Sequence, residues 1–229
     1  MRCVAGRSGP RQLAFALPHA ESLSRDDFLE GSANAAALSL VESWPEWPNR
    51  IMLLAGPEGC GKSHLAAIWA EQAGARSMSA HGLTAAAVPA ALATGALVVE
   101  DLNPQAFDEL ALFHLMNLAR EDGAFVLLTA RMPPAAIDVG LRDLRSRLRA
   151  VPVVTLMSPD DHLLRALIVK FCADRQMNVD ETVVNFIATR TERSFAAVRQ
   201  AVERLDAESL RLGRPVTRAL AAELLRDRD

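Results

Sequence analysis

The segment 56–63 of this 229-residue chain reads GPEGCGKS, and it limits the possible folds more than any other segment. It fits the pattern G-x-x-x-x-G-K-[ST], in which glycines let the backbone curl so that N–H groups point at phosphate oxygens. The apolar run IMLLA at 51–55 precedes the segment, and a helical stretch at 62–73 follows it. A buried strand, a tight loop and a helix form the setting that such a loop needs, because the positive end of the helix also attracts phosphate. The segment therefore predicts a site for the phosphates of a purine nucleotide.

The predicted ligand of this loop is ATP or ADP together with Mg²⁺. Lys62 is expected to neutralise the β- and γ-phosphates, and the hydroxyl of Ser63 to ligate Mg²⁺. Cys60 and His64 lie beside these groups, and we interpret both as packing side chains rather than as chemical groups. The predicted nucleotide-binding residues are Gly56, Pro57, Glu58, Gly59, Cys60, Gly61, Lys62, Ser63 and His64.

A carboxylate is also expected near the loop, because nucleotide hydrolysis needs one that holds Mg²⁺ or orients water. Such a group normally lies at the end of a neighbouring apolar strand. The run ALVV at 96–99 ends in the adjacent acids Glu100 and Asp101. A strand that simply ends in solvated acids is the alternative, and the loop upstream favours a role at the nucleotide.

Short apolar runs alternate with helical stretches up to about residue 157, and after that no strand signal appears. Repeated alternation of this kind predicts an α/β fold with a central parallel sheet. The sequence SPDD at 158–161 then predicts a helix start. We predict a P-loop nucleotide-binding domain at 26–157 and a small all-helical domain at 158–229, after a flexible arm at 1–25. Further strands are predicted at 76–80, 97–100, 125–129 and 151–156, a loop at 44–49, and helices at 105–120, 160–175, 180–190, 194–212 and 216–227.

Composition excludes several other classes of protein. The net charge of −3 argues against a wide nucleic-acid-binding face. The three cysteines are widely spaced and form no CxxC pair, so neither a disulfide framework nor a structural zinc site is indicated. No apolar run is long enough to cross a bilayer. We therefore expect a cytoplasmic protein with no membrane association.

Four features, taken in order, resemble the AAA+ ATPase domain of the bacterial replication initiator DnaA. They are the phosphate loop, the acidic strand end, the strand end LLTAR at 127–131, and LRSRL at 144–148. The segment FLEGSAN at 28–34 is similar to the F-x-x-G-x-x-N motif that this family places near the adenine. The resemblance runs from about residue 12 to the C-terminus, and it implies an AAA+ domain with the helical domain as its lid.

Within that family the chain looks most like the Hda-type regulators, which inactivate DnaA. No room for a helix-turn-helix DNA-binding domain is expected after the lid, so no direct sequence-specific DNA binding is expected either. The N-terminal segment QLAFAL resembles the peptide by which these regulators bind the sliding clamp of DNA polymerase. A strand-like arm that packs on its own domain is the alternative. The predicted clamp-binding residues are Gln12, Leu13, Phe15 and Leu17.

The resemblance implies a regulator of replication initiation that, with the clamp, stimulates ATP hydrolysis by DnaA. Arg147 falls on the arginine-finger position of the family, and an exposed ion-paired arginine is its alternative. Glu100 takes the metal position and Asp101 the water-orienting position. Thr129 is the candidate polar sensor on the fourth strand, although Arg131 stands near that position. A homodimer is left open.

Two departures from the family pattern bear on activity. DnaA has Asp-Asp where this chain has Glu100-Asp101, so we expect slow hydrolysis by the chain itself. The family's nucleotide-sensing arginine falls on Ala196, and Arg199 lies nearly one helical turn further on. A stand-alone P-loop ATPase or kinase, and a helicase-loader-like AAA+ protein, are the alternative functions.

Overall fold

The computed structural model describes residues 23–103 and 107–225. Its sheet has five parallel strands in the order β2-β3-β4-β1-β5, with helices on both faces. The predicted α/β fold with a parallel sheet is therefore confirmed. The strands are β1 Ile51–Ala55, β2 Arg76–Ser79, β3 Ala96–Leu102, β4 Phe125–Ala130 and β5 Val153–Thr155.

The helices of the first part of the chain surround this sheet. Most follow the predicted positions, but α4 starts later than expected because Asp108 caps it by accepting hydrogen bonds from Leu110 N and Ala111 N. Two helices were not predicted: α3 has only four residues, and α5 is mostly arginine, with only Leu144 and Leu148 buried. The helices are α1 Ala35–Glu42, α2 Lys62–Ala73, α3 Val88–Ala91, α4 Glu109–Glu121 and α5 Arg142–Arg149.

Four further helices follow the sheet and form a bundle. Each begins at a side-chain cap, and the capping residues of the first three are Asp160, Asp180 and Ser194. The bundle has its own buried cluster, built around Leu164, Ile187 and other aliphatic side chains. The helices are α6 Asp161–Asp174, α7 Glu181–Arg190, α8 Phe195–Leu212 and α9 Arg218–Leu224.

Strand order corrects one expectation about the acidic pair. The strand that ends in Glu100 and Asp101 was expected to neighbour the strand before the phosphate loop. Instead β4 lies between β3 and β1 and pairs with both. The two ends still meet at one edge, since the carboxyl ends of parallel strands lie on the same side of a sheet.

Burial explains which strands were easy to predict. All five residues of β1 are buried, as are the first four of β3, so both appear as continuous apolar runs. β2 lies at the edge of the sheet and is mostly exposed, which accounts for its weak pattern, RSMS. In the part of the chain that the structure describes, no helix combines the length and the apolar character needed to cross a membrane.

Candidate phosphate-binding site

The predicted phosphate loop follows β1 directly and ends where α2 begins. A side chain at Gly56 would bring its Cβ within 2.5 Å of the carbonyl oxygen of Leu156, a backbone atom that cannot move aside. Gly59 and Gly61 have φ angles of +68° and +100°, in the left-handed region that favours glycine. The loop is therefore curled, and its geometry requires glycine at these three positions.

The ammonium group of Lys62 turns back over the loop. Its Nζ donates hydrogen bonds to the carbonyl oxygens of Gly56, at 2.9 Å, and Pro57, at 2.7 Å. Both acceptors are uncharged, so they orient the ammonium without neutralising it. Ser63 is exposed on the first turn of α2, next to this charge. The loop thus combines a cation, a hydroxyl and a helix N-terminus, which suits it to bind phosphate.

Cys60 and His64 both pack inward. Cys60 is 1% exposed, and burial raises the pKa of its thiol, while nearby Lys62 partly opposes the shift. The Nε2 of His64 lies 2.8 Å from the carbonyl oxygen of Ser24, which can only accept, so this nitrogen carries the hydrogen. The centres of the His64 and Phe28 rings lie 5.2 Å apart, and the two ring planes are nearly perpendicular. Burial lowers the pKa of His64, and the hydrogen bond to Ser24 works against that shift.

The acidic pair lies at an irregularity in β3. The register with β4 shifts between Val99 and Leu102, so Glu100 and Asp101 fall in a bulge. Asp101 has a φ angle of +58°, which is unusual for a residue with a side chain. Its N–H donates to Oγ1 of Thr129 at 3.0 Å, and Thr129 is 2% exposed. The Thr129 hydroxyl therefore holds the backbone that presents the two carboxylates.

Arg131 connects the loop with the acidic strand end. Its Nη1 lies 2.7 Å from Oε2 of Glu58, and its Nε lies 3.7 Å from Oδ1 of Asp101. All three side chains are more than half exposed, so these ion pairs add little stability. They place a cation in addition to Lys62 at the carboxyl edge of the sheet. The sequence indicated Arg131 only by its nearness to Thr129, and nothing in the pattern indicated its pairing with Glu58.

The donor set can be tested against Mg²⁺. The hydroxyl of Ser63 and the carboxylates of Glu100 and Asp101 are oxygen ligands, the type that Mg²⁺ prefers. Among the described residues, no group of three or more His, Cys, Asp or Glu side chains is arranged to hold a metal ion. The set therefore fits an ion that takes further ligands from phosphate and water, as Mg²⁺ does in phosphate-loop proteins.

The segment 28–34 forms a closed turn beside the loop. The amide of Asn34 donates to the carbonyl oxygen of Leu29 at 2.9 Å, and its Oδ1 accepts from the N–H of Gly31 at 2.8 Å. Asn34 is 2% exposed, so this side chain acts as an internal brace. The turn also reaches the helical bundle, because the Ser32 hydroxyl donates to Asp160 at 2.7 Å.

The N-terminus of α8 docks directly on the phosphate loop. The N–H of Phe195 donates to the carbonyl oxygen of Gly59 at 2.8 Å. A Cβ at Gly59 would lie 3.0 Å from the Cβ of Ser194 and 3.3 Å from that of Ala196. The small side chains of Ser194 and Ala196 therefore let α8 pack closely against Gly59. An open cleft of about 540 Å³ lies here, and Glu58, Ala196 and Arg199 all line it.

Arg147 lies where the strands of the sheet begin, opposite the ends that carry the phosphate loop and the acidic pair. It lines a cleft with Arg50 and Ile51, at the amino end of β1, whereas the phosphate loop follows the carboxyl end of that strand. The five residues of β1 are joined by four steps of about 3.3 Å each, so the two ends of the strand lie roughly 13 Å apart. The Arg147 guanidinium is 4.9 Å from the centre of the Phe113 ring. The structure therefore brings Lys62, Ser63, Glu100, Asp101 and Thr129 to one edge, and Arg147 to the other.

The predicted clamp-binding residues Gln12, Leu13, Phe15 and Leu17 lie outside the described residues.

No protein-family model matches the chain. Among solved structures, it is similar to domain III of the replication initiation protein DnaA from Thermotoga maritima, with a TM-score of 0.72 and 20% identity, over 90% of this chain and 96% of that one. AMPPCP-bound DnaA from Aquifex aeolicus gives a TM-score of 0.65 and 16% identity, over 80% of this chain and 64% of that one. The RuvB Holliday junction branch migration motor of Thermotoga maritima gives a TM-score of 0.73 and 19% identity, over 90% of this chain and 72% of that one. At these identities the likeness shows the fold alone, an α/β fold with a central parallel sheet.

Proposed function

We propose that this protein is an Hda-type regulator of replication initiation. In this proposal it binds ATP or ADP with Mg²⁺ in its own loop and, together with the sliding clamp, stimulates ATP hydrolysis by DnaA. The observation that carries the proposal is the position of Arg147. This arginine lies at the opposite end of β1 from the chain's own phosphate loop, so the nucleotide that it would contact is one held by another subunit.

Nucleotide binding by the chain rests on the loop itself. The glycines curl the backbone, Lys62 supplies an unneutralised cation, and α2 points its N-terminus into the curl. A similarly folded DnaA was solved bound to AMPPCP, which supports an adenine nucleotide as the ligand.

Weak hydrolysis at this loop follows from its surroundings. Glu100 is longer than the aspartate that it replaces, and it lies in a bulge of β3. Ala196 is too short to reach a phosphate from the cleft, although Arg199 lines the same cleft. Arg131 pairs with both Glu58 and Asp101, so the water-orienting carboxylate already has a cation beside it. We infer that the bound nucleotide mainly maintains the shape of the protein.

Stimulation of a partner rests on the charge of Arg147. A guanidinium brought to the terminal phosphate of a neighbour's ATP stabilises the charge that develops in the transition state. Two nearby arginines are less suited to this role. Arg145 donates from its Nε to the carbonyl oxygen of Val139 at 3.1 Å, and its Nη2 also approaches that oxygen. Arg142 lies at the start of α5, away from the cleft that Arg147 lines.

Clamp binding by Gln12, Leu13, Phe15 and Leu17 remains part of the proposal. Such a peptide inserts apolar side chains into a pocket while the glutamine hydrogen-bonds at the rim. The clamp would then hold the regulator near DNA-bound DnaA and raise its effective concentration. We also propose that the protein acts in the cytoplasm and that DnaA, rather than a second copy of this chain, receives Arg147.

The test is ADP formation by ATP-loaded DnaA, mixed with DNA-loaded clamp and this protein. We expect Arg147→Ala to reduce the stimulated rate by about a hundredfold or more, because arginine fingers contribute that much or more in related enzymes. Arg142→Ala, on the same helix, is the matched control and should retain stimulation. Both variants should keep the affinity of the wild-type protein for fluorescent ATP, because Arg147 lies at the far edge of the sheet from the loop.

In the same assay, Gln12→Ala combined with Leu13→Ala should weaken clamp binding and raise the protein concentration needed for stimulation. Full stimulation by Arg147→Ala would reject the proposed role of this residue. ATP hydrolysis by the chain alone, at rates that DnaA and clamp do not change, would instead favour a stand-alone ATPase.

A further inference from the structure

The cleft at the amino edge of the sheet contains three arginines from three different elements. Arg50 precedes β1, Arg120 lies in the last turn of α4, and Arg147 lies in α5. The cleft has a volume of about 470 Å³, and Asn49 and Met116 are among its other lining residues. No acidic side chain of the described chain lines it.

Two of the three positive charges in this cleft are held in place by aromatic rings, and no described ion pair neutralises any of the three. The guanidinium of Arg50 lies 4.2 Å from the centre of the Phe125 ring, and that of Arg147 lies 4.9 Å from the centre of the Phe113 ring. Stacking on an aromatic ring orients a guanidinium and leaves its charge in place. Within the described parts of the chain, none of the three arginines forms an ion pair.

Three like charges facing one concavity repel each other, and an anion that enters the concavity relieves that repulsion. A planar guanidinium donates paired hydrogen bonds to phosphate oxygens, and a polyphosphate carries enough charge to engage several of them. This concentration of positive charge stands out because the whole chain has a net charge of −3. The cleft therefore has the chemistry of a polyphosphate site, at the edge of the sheet opposite the phosphate loop.

We propose that Arg50 and Arg120 act together with Arg147, so that the three form one receptor for the terminal phosphates of a nucleotide held by a partner subunit. This inference rests on the proposed function, because it concerns the same partner nucleotide. In this arrangement the arginine finger is one of three arginines that bind the same phosphates, and we call the three together the composite site. Arg147 meets the reacting phosphate, and the other two bind the oxygens around it.

The experiment measures partner ATP hydrolysis against protein concentration for Arg120→Ala, Arg50→Ala and their lysine equivalents. Arg120 is exposed and in none of the described ring contacts, so its alanine variant should fold normally. We expect Arg120→Ala and Arg50→Ala each to lower the maximal stimulated rate about tenfold, the range for losing one charge-assisted hydrogen bond in a transition state. The lysine variants keep the charge and should recover only part of the rate, because lysine cannot donate two parallel hydrogen bonds.

The matched control is Arg165→Ala, which removes an exposed positive charge on α6, in the helical bundle. It should keep the maximal rate. If Arg50 and Arg120 only attract the partner, their variants will raise the half-saturating concentration and leave the maximal rate unchanged, and the inference is then wrong. Loss of oligonucleotide binding by the double variant, with stimulation retained, would assign the cleft to nucleic acid and also overturn it.

Arg147→Ala, run alongside, separates the two proposals. If it abolishes stimulation while Arg50 and Arg120 variants remain fully active, the composite site is rejected and the proposed function stands. If Arg147→Ala stimulates normally, the proposed function fails and the composite site fails with it.

Discussion

Several single residues of the phosphate loop serve packing as much as binding. Gly59 adopts a left-handed conformation and also lies against Ser194 and Ala196 of α8. The loop and the helical bundle therefore meet at a point where no side chain fits. Cys60, which is buried under the loop, packs in the same cluster as Phe28 and Leu65. The shape of the loop thus depends on its packing against α8 and against this apolar cluster.

Gly59→Ala should separate loop strain from the contact with α8. A left-handed alanine costs about 1–2 kcal/mol, and at Gly59 the new methyl group would also press on Ser194. Gly74→Ala is the control, because Gly74 has a similar φ of +61° and no atom within 4 Å of the added Cβ. We expect urea unfolding to show a larger loss of stability for Gly59→Ala, with about tenfold weaker ATP binding in that variant alone. Equal losses in the two variants would contradict the contact.

His64 makes stability depend on pH. Burial lowers its pKa in the folded protein below the usual value of about 6.5. As the pH falls below that value, the unfolded chain binds a proton at this side chain before the folded protein does, so acid favours unfolding. His64→Gln keeps a donor for the carbonyl oxygen of Ser24 and removes the titration. The loss of stability between about pH 7 and pH 5.5 should therefore shrink in this variant.

His162→Gln, at an exposed position of α6, is the control for that experiment. Because this side chain lies on the surface, its replacement should not reduce the acid-induced loss that the burial of His64 causes. An unchanged acid-induced loss in His64→Gln would show that other groups are responsible.

The position of the acidic pair depends on two neighbouring strands, β3 and β4. β3 contains a bulge at its carboxyl end, and β4 supplies the side chain that stabilises the bulge. β1 was expected to lie next to β3. Instead β4 lies between them, and this places Thr129 between the phosphate loop and the acidic pair. Thr129 was proposed as a sensor of the nucleotide, and it is also the acceptor for the N–H of Asp101.

Thr129→Val tests this bracing role, because valine has nearly the same shape and accepts no hydrogen bond. We expect a loss of about 1 kcal/mol in unfolding free energy from the unpaired N–H of Asp101. The gain in nucleotide affinity on adding Mg²⁺ should also fall, since the carboxylates lose their fixed position. Thr129→Ser keeps the hydroxyl and should resemble the wild-type protein in both measurements. Valine and serine variants that behave alike would rule the brace out.

The whole molecule separates the phosphate loop from the arginine cleft. Lys62, Ser63 and the acidic pair lie at the carboxyl edge of the sheet, where α8 and Arg199 close over the loop. Arg147, Arg50 and Arg120 lie at the amino edge. In the proposed function, the chain holds one nucleotide at the loop and presents these arginines to another. The proposed assembly with DnaA uses both edges, and a chain acting alone would leave the amino edge without a ligand.

Local patterns predicted much of the fold and of the loop. The run IMLLA forms a fully buried strand, and the glycines of the loop take the backbone angles that only they tolerate easily. These features depend on residues that are close together in the sequence, so they can be predicted without the tertiary structure. Helix α5 was not predicted, because it buries only two apolar side chains, Leu144 and Leu148, and these give too weak a periodic pattern.

Local patterns in the chain were enough to predict a parallel sheet with a phosphate loop after its first strand. Three features became visible only in the folded protein: β4 separates β3 from β1, Arg131 contacts Glu58, and three arginines line one cleft. The two groups of features differ in the distance along the chain over which their causes act. Burial and backbone preference act within a few residues, whereas strand order and side-chain meetings depend on crossover connections that bring distant segments together.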